Sequence, residues 1–196
     1  MNPKETIRKA LEEAEGPLLF ITPPKMGKLI DQEIRTRCAG SKLSAVDLHN
    51  LQQIYHVVRW IPPESGRPPY LKPDPNIEYH DFWGRESDPV TLIPHYGKIT
   101  LAYAGYLFLD GAEKFNRRDL LDNLCNFAYE GVTEHGYPIR CQIVLRVSPC
   151  PCGKHGTPDC HCEKSVIRRH FNHLYYLLQS VRPNDGEIIR LKVSDD

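Results

Sequence analysis

The stretch PLLFITPPKMGKLI, residues 17–30, decides the fold of this 196-residue chain. Its apolar run at residues 18–21 is typical of a short buried strand. Two prolines then make a turn, and a Gly-Lys pair begins a segment in which Ile30 and Ile34 have helical spacing. A strand that runs through a turn into a helix is the repeating unit of α/β folds.

The same alternation of strands and helices continues along the chain. Helices are predicted over residues 4–15, 27–38, 45–58 (with Ser44 as N-cap), 116–130 and 164–181, and further strands over 106–110, 141–147 and 187–193. Eight prolines between residues 61 and 95 predict a long, irregular surface segment with only short pieces of structure. We therefore expect one α/β domain over residues 1–196, with an N-terminal helix within residues 1–16 and a mostly parallel sheet flanked by helices.

The composition excludes several classes of protein. Lys+Arg and Asp+Glu are equal at 25 each, so no nucleic-acid footprint is expected over the whole surface. No apolar run reaches the roughly 18 residues of a membrane-spanning helix. The N-terminus is a charged amphipathic helix and not a signal peptide, which predicts a cytoplasmic protein. Seven cysteines then favour metal or redox chemistry over disulfides.

Residues 22–29, TPPKMGKL, raise the question of a phosphate-binding loop. In the pattern G-x-x-x-x-G-K-[ST], glycines let backbone N–H groups approach phosphates, lysine neutralises charge, and the final hydroxyl binds Mg²⁺. Gly27 and Lys28 match this pattern, but Thr22 replaces the first glycine and Leu29 replaces the hydroxyl. The pattern alone also fits an alternative, in which a strand, turn and helix contain a Gly-Lys pair by chance and bind no phosphate.

A second candidate lies at the end of the strand YLFLD, residues 106–110. P-loop enzymes place a carboxylate on a strand end beside the phosphate loop, where it holds the water shell of Mg²⁺. Asp110 has that position here. The alternative is a buried strand that merely ends in an aspartate.

The cysteine-rich loop at residues 148–163 carries two Cys-x-Cys pairs, with seven residues between the pairs. Four thiolates in two close pairs can surround one tetrahedral Zn²⁺, and such a closed site would be structural. The predicted ligands are Cys150, Cys152, Cys160 and Cys162, with His155 and His161 in reserve. A redox pair and plain reduced thiols are the alternatives.

Two long stretches together resemble a known family. Residues 97–124, GKITLAYAGYLFLDGAEKFNRRDLLDNL, are similar to the segment R-P-G-E-I-S-L-A-H-x-G-V-L-F-L-D-E-L-P-E-F of magnesium-chelatase-like AAA+ ATPases of the ComM/YifB type. Residues 147–171 resemble that family's N-P-C-P-C-G segment with its following cysteines. The resemblance is colinear from about residue 16 to about residue 181 and places residues 17–28 over the family's loop, G-P-P-G-x-G-K-T.

The resemblance implies a P-loop NTPase core of the AAA+ type, with a site for ATP or ADP. Carried over position by position, the residues of that site are Thr22, Lys25, Gly27, Lys28 and Asp110. In ComM-type proteins the core is an ATP-driven motor that acts on DNA. The family continues into a helical lid, so we expect the lid domain to be absent here.

Several residues that such a motor needs differ in this chain. Leu29 replaces the Mg²⁺ ligand, which argues against Mg²⁺, and Lys25 replaces a loop glycine. Gly111 replaces the glutamate that activates water, and Ser148 replaces the asparagine that senses the γ-phosphate. Removing one such group commonly costs a factor of about 10² in rate, so we expect no catalytic residue and no useful hydrolysis.

Four functional hypotheses follow. The first is a non-hydrolysing scaffold or partner protein that binds another protein, such as an active AAA+ ring, or itself. The second is a sensor that binds ATP or ADP, and the third is a weak ATPase completed by a partner subunit. The fourth is a nucleic-acid-binding protein with a local patch of Arg117-Arg118, Arg168-Arg169 and Tyr175-Tyr176, although these residues also fit helix surface charges and core aromatics.

Overall fold

A central parallel sheet organises the fold. The computed structural model describes residues 2–14, 16–58, 66–115, 120, 123–124, 127–128 and 130–148, and the backbone of 187–190. The strands are β1 (Leu18–Ile21), β2 (Tyr70–Leu71), β3 (Gly84–Arg85), β4 (His95–Tyr96), β5 (Tyr106–Asp110), β6 (Gln142–Val147) and β7 (Glu187–Arg190). Five of them form one sheet in the order β2-β5-β6-β1-β7, and every neighbouring pair in it is parallel.

The described helices are α1 (Pro3–Glu13), α2 (Gly27–Gly40), α3 (Ala45–Val57), α4 (Tyr79–Trp83) and α5 (Lys98–Leu101). Asn2 caps α1 by accepting a hydrogen bond from the Lys4 amide, and Ser44 caps α3 by accepting one from the Asp47 amide. Within the described part of the chain, no helix is long and apolar enough to cross a membrane.

Each strand of the sheet sends alternate side chains to opposite faces. On one face, Leu18, Phe20, Phe108 and Val144 pack against α1 and α2. On the other face, residues such as Leu19, Leu109 and Leu145 pack against α4 and α5. Strands that are apolar on both faces are those of a parallel sheet covered by helices, which confirms the predicted α/β class and the P-loop NTPase-type core.

Helix α1 is fixed to α2 by charge as well as by apolar packing. Ile7, Ala10 and Leu11 are buried against the sheet, as their spacing predicts. Glu33 on α2 is also buried, and its carboxylate lies 3.3 Å from Lys4 Nζ and 3.4 Å from Arg8 Nε. A buried carboxylate needs such partners, so α1 is an integral part of the domain.

The proline-rich segment differs in one respect from the prediction. Its described part contains only short elements, as expected, but it is not wholly a surface segment. Phe82 and Trp83 are fully buried in the main core cluster, and β2 adds an edge strand to the sheet. Close backbone approaches fix the segment, since a Cβ on Gly105 would lie only 2.0 Å from the Pro69 carbonyl oxygen.

Other predicted elements are described only in part. In the predicted helix over 116–130, residues 120, 123–124, 127–128 and 130 are helical, and Leu120 and Leu124 are buried. The predicted helix over 164–181 lies outside the described residues. Residues 132–138 form a tight antiparallel turn before β6, closed by a bridge between Val132 and Pro138.

Candidate functional site

The candidate site lies where the sheet meets the first turn of α2. Asp110 is the last residue of β5, and its neighbour in register on β6 is Arg146. Phe108 and Val144, two residues earlier on these strands, belong to the core cluster on the α2 side of the sheet. Because side chains alternate along a strand, Asp110 and Arg146 lie on that same side.

The Asp110 carboxylate is held between two cations. Its Oδ2 lies 2.8 Å from Lys72 Nζ, and its Oδ1 accepts a short hydrogen bond from Arg146 Nε. Partial burial alone would raise the pKa of Asp110, but the hydrogen bonds from Lys72 and Arg146 outweigh burial and lower that pKa below its ordinary value. Asp110 is therefore a firmly ionised carboxylate with both oxygens engaged.

Arg146 is the most buried charge of this group, with 3% of its side chain exposed. Besides Asp110, its guanidinium donates to the Thr22 carbonyl oxygen at 3.3 Å and to Ser148 Oγ at 3.5 Å. It thereby connects the ends of β1, β5 and β6. A buried arginine on a strand is tolerated only with partners of this kind.

Gly27 makes the closest approach to Asp110. A Cβ built on Gly27 would lie 2.6 Å from Asp110 Oδ1 and 2.9 Å from Oδ2. The carboxylate therefore fills the space that any other residue would need for its side chain. The structure brings together these two predicted site residues, and it places them in direct contact.

The backbone amides of the loop before Gly27 are mostly used within the loop itself. The Met26 amide donates to the Pro23 carbonyl oxygen at 2.9 Å, and the Gly27 amide donates to that of Pro24. The loop is thus a closed 3₁₀ turn in which two potential phosphate donors are already used, and two prolines have no N–H at all. Fewer amides are left for an anion than in an open glycine-rich loop.

The predicted side chains of the loop lie in contrasting environments. Lys25 and Lys28 are exposed, whereas Thr22 is fully buried. The Thr22 hydroxyl has no hydrogen-bond partner among the described residues. Leu29 packs against the apolar cluster formed by α1, α2 and the sheet.

Gly111 follows Asp110 in the left-handed conformation, with φ of 73°. A Cβ at this position would lie 3.0 Å from Arg146 Nη2. An L-residue would therefore be strained here and would also crowd the guanidinium. Gly111 itself offers no carboxylate, and the Arg146 guanidinium lies beside it.

Ser148 is also hydrogen-bonded to another side chain of the protein. Its hydroxyl donates to Glu113 Oε1 at 2.6 Å, and its backbone N–H donates to the same oxygen at 3.2 Å. Glu113 lies in the short 3₁₀ turn that follows β5. One continuous polar chain consequently runs from Lys72 through Asp110, Arg146 and Ser148 to Glu113.

The described residues do not fit Mg²⁺. This ion needs nearly octahedral oxygen ligands, but Leu29 offers no oxygen and both Asp110 oxygens are bonded to cations. Within the described ranges, no group of three or more His, Cys, Asp or Glu side chains is arranged to hold a metal. The four cysteines predicted to bind zinc lie outside those ranges.

Sequence reasoning missed Lys72, Arg146 and Glu113. Arg146 carried a signal, since an arginine in the apolar run CQIVLRV requires a carboxylate partner if the strand is buried. Lys72 carried none, because its position beside Asp110 depends on β2 pairing with β5 across a long stretch of chain.

Comparisons with known proteins agree with this architecture. A family model described as magnesium chelatase, subunit ChlI, matches residues 4–180. Uncharacterized proteins from two strains of Mycobacterium tuberculosis and one of Mycobacterium bovis are 26% identical to this chain over 170 residues. These alignments cover 80% of this chain and 32% of each relative, so the chain spans about a third of the length of the relatives it matches.

Proposed function

Because the chain belongs to the magnesium chelatase family, subunit ChlI type, we propose that it is a member that retains the AAA+ core without hydrolysing ATP. Its function would then be that of a scaffold or partner protein. The supporting observation is the environment of Gly111, where the family has its water-activating glutamate. This position has a left-handed backbone and faces the Arg146 guanidinium.

The geometry gives a physical reason for the loss of hydrolysis. Phosphoryl transfer depends on a positioned water, a carboxylate that polarises it and cations that stabilise the transferred group. Gly111 supplies no base, and a Cβ built there would lie 3.0 Å from the Arg146 guanidinium. Ser148 in the sensor position donates its hydroxyl to Glu113, so it is already committed inside the protein.

The partner we propose is another protein, either an active AAA+ ring or a second copy of this chain. Family membership and an intact core sheet support this idea, since a parallel sheet with both faces covered can hold a binding surface without chemistry.

Steady-state phosphate release tests the proposal directly. The purified chain should release no phosphate from ATP above the buffer rate, with or without Mg²⁺. Lys28→Met is the matched control, because it removes the one loop lysine that the family uses and changes only an exposed side chain. Turnover in the wild type that Lys28→Met abolishes would contradict the proposal.

Binding of ATP or ADP without hydrolysis is a second candidate function. Lys25 and Lys28 favour it because they are exposed in the same loop as Thr22, whose buried hydroxyl has no partner in the part of the chain that the structure describes. Against it stand the closed turn at Pro23–Gly27 and the amides that this turn consumes. Titration with a fluorescent ATP analogue, with and without Mg²⁺, distinguishes the sensor from the scaffold. Saturable binding that Lys28→Met weakens supports the sensor. No binding at millimolar analogue supports the scaffold.

We also propose that Cys150, Cys152, Cys160 and Cys162 hold a structural Zn²⁺. The support is the sequence pattern of two close cysteine pairs. Metal analysis of protein purified without chelator should find about one zinc per chain. Replacing Cys150 and Cys160 with serine should remove it, whereas replacing the buried Cys38 should not. Zinc-free wild-type protein with four reactive loop thiols would refute the assignment.

A further inference from the structure

The polar groups around Asp110 give a second reason, besides the missing ligand at Leu29, why this site does not bind a metal ion. We infer that Lys72 and Arg146 take the place of a divalent cation at Asp110. The inference rests on the proposed function, because it identifies why a nucleotide site of this family would be inactive even when its fold is complete.

The charges match those of the ion. One lysine and one arginine together carry two positive charges, the same total as a divalent cation. Each cation bonds a different oxygen of the carboxylate, with Lys72 on Oδ2 at 2.8 Å and Arg146 on Oδ1. A metal ion entering this space would displace a hydrogen-bonded cation and face repulsion from the other.

The two cations differ in how firmly they are held. Arg146 has 3% of its side chain exposed and is also bonded to the Thr22 carbonyl oxygen, so it is a fixed part of the core. Lys72 has 36% of its side chain exposed and follows β2, an edge strand of two residues. Lys72 therefore closes the solvent side of Asp110, and it is the residue whose removal would open the carboxylate.

Packing keeps Lys72 in this position. Its Nζ lies 5.1 Å from the centre of the Phe108 ring, on the same side of the sheet as Asp110. A cation above an aromatic face gains an attraction in addition to its ion pair. The lysine is thus directed along β5 toward the strand end and not into solvent.

Binding of Mn²⁺, followed by electron paramagnetic resonance, tests this inference without any enzymatic activity. Mn²⁺ shares the oxygen-ligand preference of Mg²⁺. Wild-type protein should bind none at millimolar Mn²⁺. Lys72→Met frees Oδ2 but leaves Arg146 on Oδ1, so it should gain weak Mn²⁺ binding at millimolar metal, and Lys72→Met with Asp110→Asn should lose that gain. Lys72→Arg should behave like the wild type because it keeps the charge.

The matched control is Lys9→Met, which removes one positive charge from an exposed pair on α1. It should bind no more Mn²⁺ than the wild type, which excludes a general effect of net charge. Circular dichroism of each variant verifies that the fold is kept.

Two results would overturn the inference. Wild-type protein that binds Mn²⁺ through Asp110 would show that the cations do not exclude metal. Failure of Lys72→Met to gain a site would show that Lys72 is not what keeps metal out. Neither result touches the proposed function, which fails only if ATP is hydrolysed, so the two ideas can fail separately.

Discussion

Replacing Arg146 with methionine is the most demanding test of the described site. Methionine keeps much of the length and apolar character of the arginine stem but removes the guanidinium. The substitution leaves the Asp110 carboxylate with Lys72 alone and removes a donor from the Thr22 carbonyl oxygen. The free energy of unfolding should fall substantially.

The size of the effect follows from burial. Removing one partner of a buried ion pair costs roughly 3–5 kcal/mol, because the other charge stays in a poorly solvated place. Asp110 is 22% exposed and keeps one cation, which points to the lower end, about 3 kcal/mol. For a chain of this size that corresponds to a fall in Tm of about 6–12 °C.

Urea denaturation at pH 7, followed by circular dichroism, measures this loss. Lys9→Met is the matched control, since Lys9 pairs with Glu13 on α1 and the two side chains are 67% and 63% exposed. Exposed pairs contribute at most about 1 kcal/mol. Lys72→Met should also cost about 1 kcal/mol or less, because Lys72 lies on the solvent side.

A double-mutant cycle identifies the cause. Asp110→Asn replaces the carboxylate with a neutral amide that needs no cation. Arg146→Met should therefore cost about 2 kcal/mol less unfolding free energy in the Asp110→Asn background than in the wild type. The explanation fails if Arg146→Met costs no more than Lys9→Met, or if the losses from Arg146→Met and Asp110→Asn are simply additive.

Four further outcomes are expected from the described geometry. The pKa of Asp110 is lower in the folded protein than in the unfolded chain, where a carboxyl titrates at about 4. The ionised carboxylate therefore contributes its full stability above about pH 4, and this contribution is lost as the pH falls through the folded pKa. Acid titration should destabilise the wild type more than Asp110→Asn. Gly27→Ala should lower the free energy of unfolding by about 1 kcal/mol in thermal melting, since its Cβ would lie 2.6 Å from Asp110 Oδ1. Gly40→Ala, whose Cβ would have nothing within 4 Å, should be neutral or stabilising in the same measurement. Gly111→Glu should not create ATPase activity, and thermal melting should show a loss of about 1–2 kcal/mol from its left-handed backbone. Burial raises the pKa of Cys38 to about 11, so mass spectrometry should find this thiol unalkylated at pH 8 until urea unfolds the chain.

Much of the fold was predictable because its signals are local. The apolar runs of β1, β5 and β6 and the Ser44 cap of α3 depend on neighbouring residues, so periodicity and N-cap preferences find them. Strands that are apolar on both faces further indicated a parallel sheet. The edge strand β2 was not predictable, because its pairing with β5 depends on contacts between distant parts of the chain.

The candidate site was predictable only in its outline. The pattern around Gly27 and the strand end at Asp110 pointed to one place, and the structure brings them into contact. The charge partners of Asp110 were not predictable, since Arg146 and Lys72 come from two other strands whose order in the sheet is not written in any short motif. Register, and not composition, determines which charges meet.

The contact between Gly27 and the Asp110 carboxylate also restricts how the chain can diverge. Lys25 and Lys28 are exposed and can be replaced with little effect on packing, whereas every substitution at Gly27 must displace an anchored carboxylate. The glycine would therefore persist under selection for folding alone, long after any selection for nucleotide had ended. The glycine at the start of α2 is thus explained by steric fit between a helix and a strand end, and it does not by itself indicate that a nucleotide binds.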